Sequence, residues 1–166
     1  MQVGDPVKDH KCWEKPENND VVRPSYKLNA TSPGTEVAAE TAAAMAAASM
    51  VFRSTDSNYS DTLIASAKTL FNFSDTYRAS YIFVNPEVQE FYNSTGFGDE
   101  LLWGAAWLYY ATGDNTYLAY VTGANGQSYA QWNVFPAWFS WDNKLPGVWV
   151  GLSHFLFAMS NLSPRY

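Results

Sequence analysis

Six carboxylates stand in a long stretch that contains no basic residue. Residues 79–143 hold no Lys or Arg, and the whole net charge of −6 carried by the 166-residue chain falls in this stretch. A carboxylate without a cationic partner is solvated, protonated or neutralised by a bound cation. The stretch is therefore either an ordinary solvated acidic surface or an oxygen-lined site for a divalent cation. Its acidic residues are Glu87, Glu90, Asp99, Glu100, Asp114 and Asp142.

Aromatic side chains recur at every third position near the end of the same stretch, and Pro136 interrupts them. Because proline disfavours a helix interior, the pattern predicts an irregular loop. Exposed indole rings on such a loop could stack on the apolar faces of pyranose sugars. Alternatively, the loop could fold inward and fill the core. The regularly spaced residues are Tyr129, Trp132, Phe135, Trp138 and Trp141.

The overall composition excludes several classes of protein. With 47% hydrophobic and 17% aromatic residues, the chain has ample surface to bury and is not disordered. Ten basic residues against sixteen acidic ones make a nucleic-acid binder improbable. Cys12 is the single cysteine, so it forms no internal disulfide, and we expect it to be an inert buried thiol. We expect no membrane-spanning segment and no signal peptide in these residues.

The elements that must position these groups are helices. Prolines break residues 1–34 into irregular chain, and strand signals are sparse. Thr31 or Ser32 is expected to cap the first helix and Ser60 the second, whereas Gly113 ends the third. The apolar run at 101–108 predicts a helix buried on all sides, so inner and outer helices point to an all-α toroid. The predicted helices are 34–53, 60–77, 99–112, 115–121 and 142–159.

Four segments, in the same order along the chain, resemble motifs of the endo-β-1,4-glucanases (cellulases) of glycoside hydrolase family 9, and are most similar to those of plants. Residues 9–17 read DHKCWEKPE and resemble the family's DHxCWxRPED. Residues 33–44 read PGTEVAAETAAA and resemble PGSDVAGETAAA. Residues 91–103 read FYNSTGFGDELLW, similar to FYxSxGYxDELLW, and residues 139–144 read FSWDNK, as in the family.

The resemblance implies that residues 1–166 are the central part of one catalytic domain, an (α/α)6 barrel, without its N- and C-terminal portions. It implies hydrolysis of internal β-1,4-glucosidic bonds by inversion, in which two carboxyl groups stand about 6.5–9.5 Å apart. In the family the base belongs to a DAGD motif and the acid is a Glu near the C-terminus. Neither occurs here, so we expect no catalytic residue in this chain and no turnover by it alone.

The resemblance also implies two sets of binding residues. His10, Trp13 and Trp138 would bind glucan, with His10 donating to sugar hydroxyls; as ordinary residues, they would be a loop histidine and buried or structural tryptophans. The second set consists of oxygen ligands for a structural Ca²⁺ that is not needed for the chemistry. The ordinary alternative is that acidic residues at the start of a helix are there because the helix dipole stabilises them. The implied Ca²⁺ ligands are Thr95, Gly96, Asp99, Glu100 and Asp142.

Two further tryptophans, Trp103 and Trp107, lie four residues apart on an apolar helix and are predicted to be core residues, and Trp141 is predicted to be structural. The implied partner is a β-1,4-glucan such as cellulose or a cello-oligosaccharide, bound by a monomer in the cell wall. Five N-x-S/T sequons agree with secretion. The alternative hypothesis is a non-catalytic helical scaffold that binds glucan without hydrolysing it.

Overall fold

The computed structural model describes residues 2–130 and 138–162, and the side chains of 4–130 and 138–154. The described residues are mostly helical, as the sequence predicts, and none of their helices has the length and apolar composition needed to cross a bilayer. In chain order the elements are β1 (Gln2–Val3), α1 (Pro6–Lys11), β2 (Ser25–Tyr26), α2 (Thr35–Phe52), α3 (Ser57–Thr76), α4 (Tyr81–Val84), α5 (Gly98–Thr112), α6 (Asn115–Thr122), α7 (Ala124–Tyr129) and α8 (Leu145–Leu162).

The core lies where α2, α3 and α5 pack together. Small side chains let α2 and α5 approach closely: a methyl group placed on Gly104 would lie 3.1 Å from the carbonyl oxygen of Ala39. The leucines of α5 fill the space on either side of this approach. The fully buried side chains shared by the two helices are Ala39, Ala42, Ala46, Leu101, Leu102, Ala105, Ala106 and Leu108.

Helix α5 is not buried on all sides, contrary to the sequence prediction. Trp103 and Trp107 are only partly buried at the rim of the core, where their rings meet edge to face at 5.5 Å. Both rings border a groove with Ala43, Ala44 and Ala47 of α2. The apolar run predicted complete burial, but indole rings are long enough to reach the core while leaving one edge in an open groove.

The predicted caps of α2 and α3 are wrong, whereas the predicted end of α5 is confirmed. Gly34 precedes α2 and offers no side-chain cap. Asp56 caps α3 by accepting a hydrogen bond from the amide of Tyr59, so this helix begins before Ser60. The Ser60 hydroxyl instead donates to the carbonyl of Ser49, which joins α3 to α2. Gly113 ends α5 with φ +69°, a conformation that favours glycine.

The N-terminal residues are more ordered than their prolines suggest. β1 and β2 pair antiparallel, with Gln2 opposite Tyr26, and they flank the short helix α1. Arg23 then binds Asp9 of α1 through two hydrogen bonds of 2.7 and 3.0 Å. Cys12, which follows α1, is half-buried rather than buried. This arrangement depends on pairing across about twenty residues, which local proline content does not encode.

Candidate functional site

A group of aromatic rings lies where α1 meets the segment between α4 and α5. The His10 ring stacks on Phe91 with centroids 3.5 Å apart and an angle of 14°. The next residue, Tyr92, packs against Trp141 with centroids 5.0 Å apart. We call His10, Phe91, Tyr92 and Trp141 the aromatic row. The row brings together residues from three distant parts of the sequence.

A cavity of about 330 Å³ opens beside this row and is lined by His10, Phe91, Tyr92 and Tyr81 together with Asp9 and apolar residues. The His10 Nδ1 atom lies 2.7 Å from the carbonyl oxygen of Pro6. Because a carbonyl oxygen only accepts, Nδ1 is the donor and Nε2 of the neutral ring is an acceptor. The neutral His10 would therefore accept from a sugar hydroxyl, whereas the sequence reasoning made it a donor.

The remaining predicted tryptophans lie on the surface. Trp13 is 95% exposed, so both faces of its indole ring are left to solvent, and Trp138 is 67% exposed. Trp141, predicted to be structural, is 54% exposed even though it contacts Tyr92. Trp132 and Phe135 lie outside the described residues. Sequence reasoning gave no role to Phe91 and Tyr92, although their place just ahead of the acidic pair in the third motif was a usable signal.

The residues predicted to hold a cation come together around the start of α5. Asp142 Oδ1 accepts a hydrogen bond of 2.8 Å from the amide of Thr95. Asp99 Oδ2 accepts a hydrogen bond of 2.7 Å from the amide of Lys144. Each of these two contacts joins residues more than forty positions apart in the sequence. The carbonyl of Gly96 accepts from the hydroxyl of Ser94. Asp99 and Glu100, adjacent at the start of α5, are both buried.

Glu100 is the most perturbed carboxyl group of this cluster. Burial, followed by the charge of Asp99, raises the pKa of Glu100 to about 10. Its Oε2 atom is buried and meets no hydrogen-bond donor among the described residues. Hard divalent cations prefer oxygen ligands, so an unpaired carboxyl oxygen beside a second carboxylate has the chemistry that such a cation binds. Within the described part of the chain, however, no three Asp, Glu, His or Cys side chains converge on one point.

A second pair of carboxylates lies on α2 and faces the same region. The buried Glu36 accepts hydrogen bonds of 2.9 Å from the Ser80 hydroxyl and 2.6 Å from the amide of Tyr81, and burial raises its pKa. Glu40, one turn later, lies 2.7 Å from the ammonium of Lys144. Burial and then the charges of these carboxylates raise the pKa of the Tyr92 hydroxyl, which keeps it protonated.

Comparison with known proteins gives one consistent result. The family model for Glycosyl hydrolase family 9 matches residues 1–164. Endoglucanase 10 of Arabidopsis thaliana is 59% identical over 163 residues, which are 98% of this chain and 31% of that protein. Endoglucanase 24 of Oryza sativa subsp. japonica is 55% identical over 157 residues, covering 95% of this chain and 30% of the relative. The chain thus spans about a third of the length of these relatives.

Solved structures agree with the fold. The endoglucanase of the termite Nasutitermes takasagoensis superimposes with a TM-score of 0.79 at 42% identity, over 92% of this chain and 35% of that one. The endoglucanase CelQ of Clostridium thermocellum, solved with cellotetraose, gives a TM-score of 0.72 at 31% identity. The superposition covers 92% of this chain and 25% of CelQ. These neighbours confirm the prediction of part of an (α/α)6 barrel. The chain belongs to glycosyl hydrolase family 9.

Proposed function

We propose that the protein containing these residues hydrolyses internal β-1,4-glucosidic bonds of cellulose or a related glucan by inversion. The observation that carries the proposal is the aromatic row, in which His10, Phe91 and Tyr92 line an open cavity and Trp141 packs on Tyr92, in a member of this family. Aromatic faces bind the apolar faces of sugar rings, and a row of them suits an extended chain. Relatives named endoglucanases, and CelQ solved with cello-oligosaccharides, support the same substrate.

These residues would bind and orient the glucan without performing the chemistry. Inversion needs a carboxylate that activates water and a carboxylic acid that protonates the leaving oxygen. The family's DAGD motif does not occur in the 166 residues, and the buried Asp99 and Glu100 are unsuited to reach a substrate. We therefore expect the acid and the base to come from parts of the domain outside these residues, and the 166-residue chain to be inactive alone.

A chimera tests this proposal. Residues 1–166 replace the aligned segment of Endoglucanase 10 from Arabidopsis thaliana, and release of reducing sugar from carboxymethylcellulose is measured. We expect activity, and its reduction by Trp138→Ala in the chimera. The control Trp149→Ala removes a tryptophan that is 42% exposed on α8 and should have little effect. A folded but inactive chimera contradicts the proposed function, and a β-anomeric first product in proton NMR contradicts inversion.

We also propose that a structural Ca²⁺ binds Thr95, Gly96, Asp99, Glu100 and Asp142. The orphaned oxygen of Glu100 and the carboxylate of the adjacent Asp99 support this set. A bound ion would take over the role of the proton that Glu100 holds at neutral pH. We expect a Kd for Ca²⁺ of about 0.1 mM, so that 5 mM CaCl₂ is in excess. It should raise the Tm of the 166-residue chain, because a ligand that binds only the folded state stabilises that state. Asp99→Asn should abolish the increase, and an equal response to MgCl₂ or in this variant contradicts the site.

The proposed location is the plant cell wall, where the protein would act as a monomer. Sequon residues Asn29, Asn58, Asn72 and Asn93 have exposed side chains, so the folded chain has room for glycans there. The test uses the whole protein that contains these residues, expressed in plant cells: enzymatic deglycosylation should lower its apparent mass, and light scattering should give one chain per particle. Unglycosylated protein retained inside the cells contradicts the location, and a dimer contradicts the monomer.

A further inference from the structure

Lys144 is a buried cation that is surrounded by oxygen acceptors. The residue is 8% exposed, and its ammonium lies 3.0 Å from the carbonyl oxygen of Ser140 and 2.9 Å from that of Trp141. The third neighbour is Oε1 of Glu40, at 2.7 Å. The two carbonyls accept hydrogen bonds from the ammonium, whereas Oε1 of Glu40 is its counterion and accepts no hydrogen bond from it. The contacts of the Lys144 ammonium are therefore with groups of the protein itself.

The contacts of Lys144 join one turn of chain to two core helices. Residues 140–143 form a tight turn closed by reciprocal backbone hydrogen bonds between Ser140 and Asn143. The ammonium of Lys144 links this turn to Glu40 on α2, and its amide links it to Asp99 on α5. Since α2 and α5 contribute many of the buried side chains of the core, the turn takes its position from two close-packed helices.

Trp141 stands on this turn, and its own carbonyl is one of the two acceptors of the ammonium. Its ring packs on Tyr92, which belongs to the aromatic row. The ring is otherwise half exposed, so contacts with the core do little to fix its position. The backbone of Trp141 is consequently held by the hydrogen bond from Lys144, whereas the exposed part of its indole ring can contact a ligand.

We infer that Lys144 is a positioning residue for glucan binding: by tying the turn at 140–143 to Glu40, it keeps the Trp141 ring against Tyr92, where the ring can contact a sugar chain. The glucan in this inference comes from the proposed function, whereas the contacts of Lys144 do not depend on that function. Removing the ammonium leaves two carbonyls without their donor and the Glu40 carboxylate without its counterion. The turn then loses its link to α2 while its link to Asp99 remains, because that link uses the backbone amide.

The test uses the 166-residue chain labelled with 5-fluorotryptophan and measured by fluorine NMR without sugar. The Trp141 resonance is assigned with Trp141→Phe and a reference resonance with Trp13→Phe, because Trp13 is 95% exposed. In Lys144→Met we expect the Trp141 resonance to shift and broaden while that of Trp13 stays unchanged. The matched control Lys68→Met removes an exposed lysine from α3 and should change neither. An unchanged Trp141 resonance in a folded Lys144→Met chain overturns the inference.

Binding of cellohexaose, measured by calorimetry, is the second readout. Lys144→Met should weaken binding about threefold to tenfold, the share that one aromatic contact contributes. Combining it with Trp141→Ala should add no further loss, because both changes remove the same contact; an additive loss overturns the inference. If the folded unmodified chain fails to bind, the proposed function is wrong, and the fluorine spectra still decide the role of Lys144.

A milder substitution covers the case in which Lys144→Met does not fold. Glu40→Gln keeps an oxygen near the ammonium but removes its charge, and Glu40 has a side chain that is 42% exposed, so the fold should tolerate the change. We expect the Trp141 resonance to shift in the same direction as in Lys144→Met, by a smaller amount. A Trp141 resonance identical to that of the unmodified chain would then contradict the positioning role.

Discussion

Replacing Glu36 with alanine should destabilise the chain strongly, because this buried carboxylate joins the start of α2 to the start of α4. Its Oε1 atom accepts from the Ser80 hydroxyl at 2.9 Å and from the amide of Tyr81 at 2.6 Å. Tyr81 is the first residue of α4, so its amide has no acceptor within that helix. Glu36→Ala removes the acceptor and leaves both donors buried.

The size of the effect follows from these two donors. A buried donor left without a partner costs about 1–3 kcal/mol, so the two together predict a loss of about 2–6 kcal/mol. That is a large share of the roughly 5–15 kcal/mol by which domains are stable. Glu36→Gln keeps an amide oxygen in place of Oε1 and removes the penalty of burying a charge, but its NH2 group replaces the buried Oε2, which has no hydrogen-bond partner. It should therefore cost about 1–3 kcal/mol at pH 7, less than Glu36→Ala.

The assay is urea unfolding followed by circular dichroism at 222 nm, with Glu90→Ala as an exposed control whose free energy of unfolding should stay within about 0.5 kcal/mol of the unmodified chain.

Burial raises the pKa of Glu36 above its ordinary 4.5, so above that pH the folded state keeps a proton that the unfolded state releases. Stability of the unmodified chain should therefore fall as pH rises from 4.5, and Glu36→Gln should remove this component. Equal losses in Glu36→Ala and Glu36→Gln would refute the reasoning.

Three other changes test the core, a helix end and the aromatic row. Leu108→Ala, at a fully buried position, should cost about 2–5 kcal/mol in urea unfolding, whereas Val51→Ala, at a position 72% exposed, should cost less than about 0.5 kcal/mol; similar losses would contradict the assigned core. Gly113→Ala should cost about 1 kcal/mol because φ there is +69°, and an unchanged Tm would contradict that conformation. Phe91→Ala should weaken cellohexaose binding about threefold to tenfold in calorimetry, and the exposed control Phe83→Ala should leave it unchanged.

The helices that could be predicted from the sequence are those whose signals are local. The alanine-rich run of α2 and the leucines of α5 carry their own propensity, and both helices were placed to within one or two residues. Gly113 was recognised as the end of α5 for the same reason. Ser60 misled the prediction because a serine before an apolar stripe resembles a cap, whereas its hydroxyl bonds to Ser49 on the neighbouring helix.

The candidate site was harder to predict because its contacts are long-range. The approach of Asp142 to Thr95 spans 47 residues, and that of Lys144 to Asp99 spans 45. Family motifs indicated that such residues belong together, but motif letters do not say which atom binds which. They also left Phe91 without a role, because its stacking on His10 appears only when α1 folds back beside the segment between α4 and α5.

The aromatic row is proposed to bind a β-1,4-glucan although the catalytic groups lie outside these residues. Calorimetric titration of the folded 166-residue chain with cellohexaose tests it most directly, with and without Ca²⁺, and with maltohexaose as an α-linked control. Reducing sugar is assayed in the same samples. We predict binding of cellohexaose, none of maltohexaose, and no release of sugar. A folded chain that does not bind cellohexaose, or one that hydrolyses it, would contradict the claim.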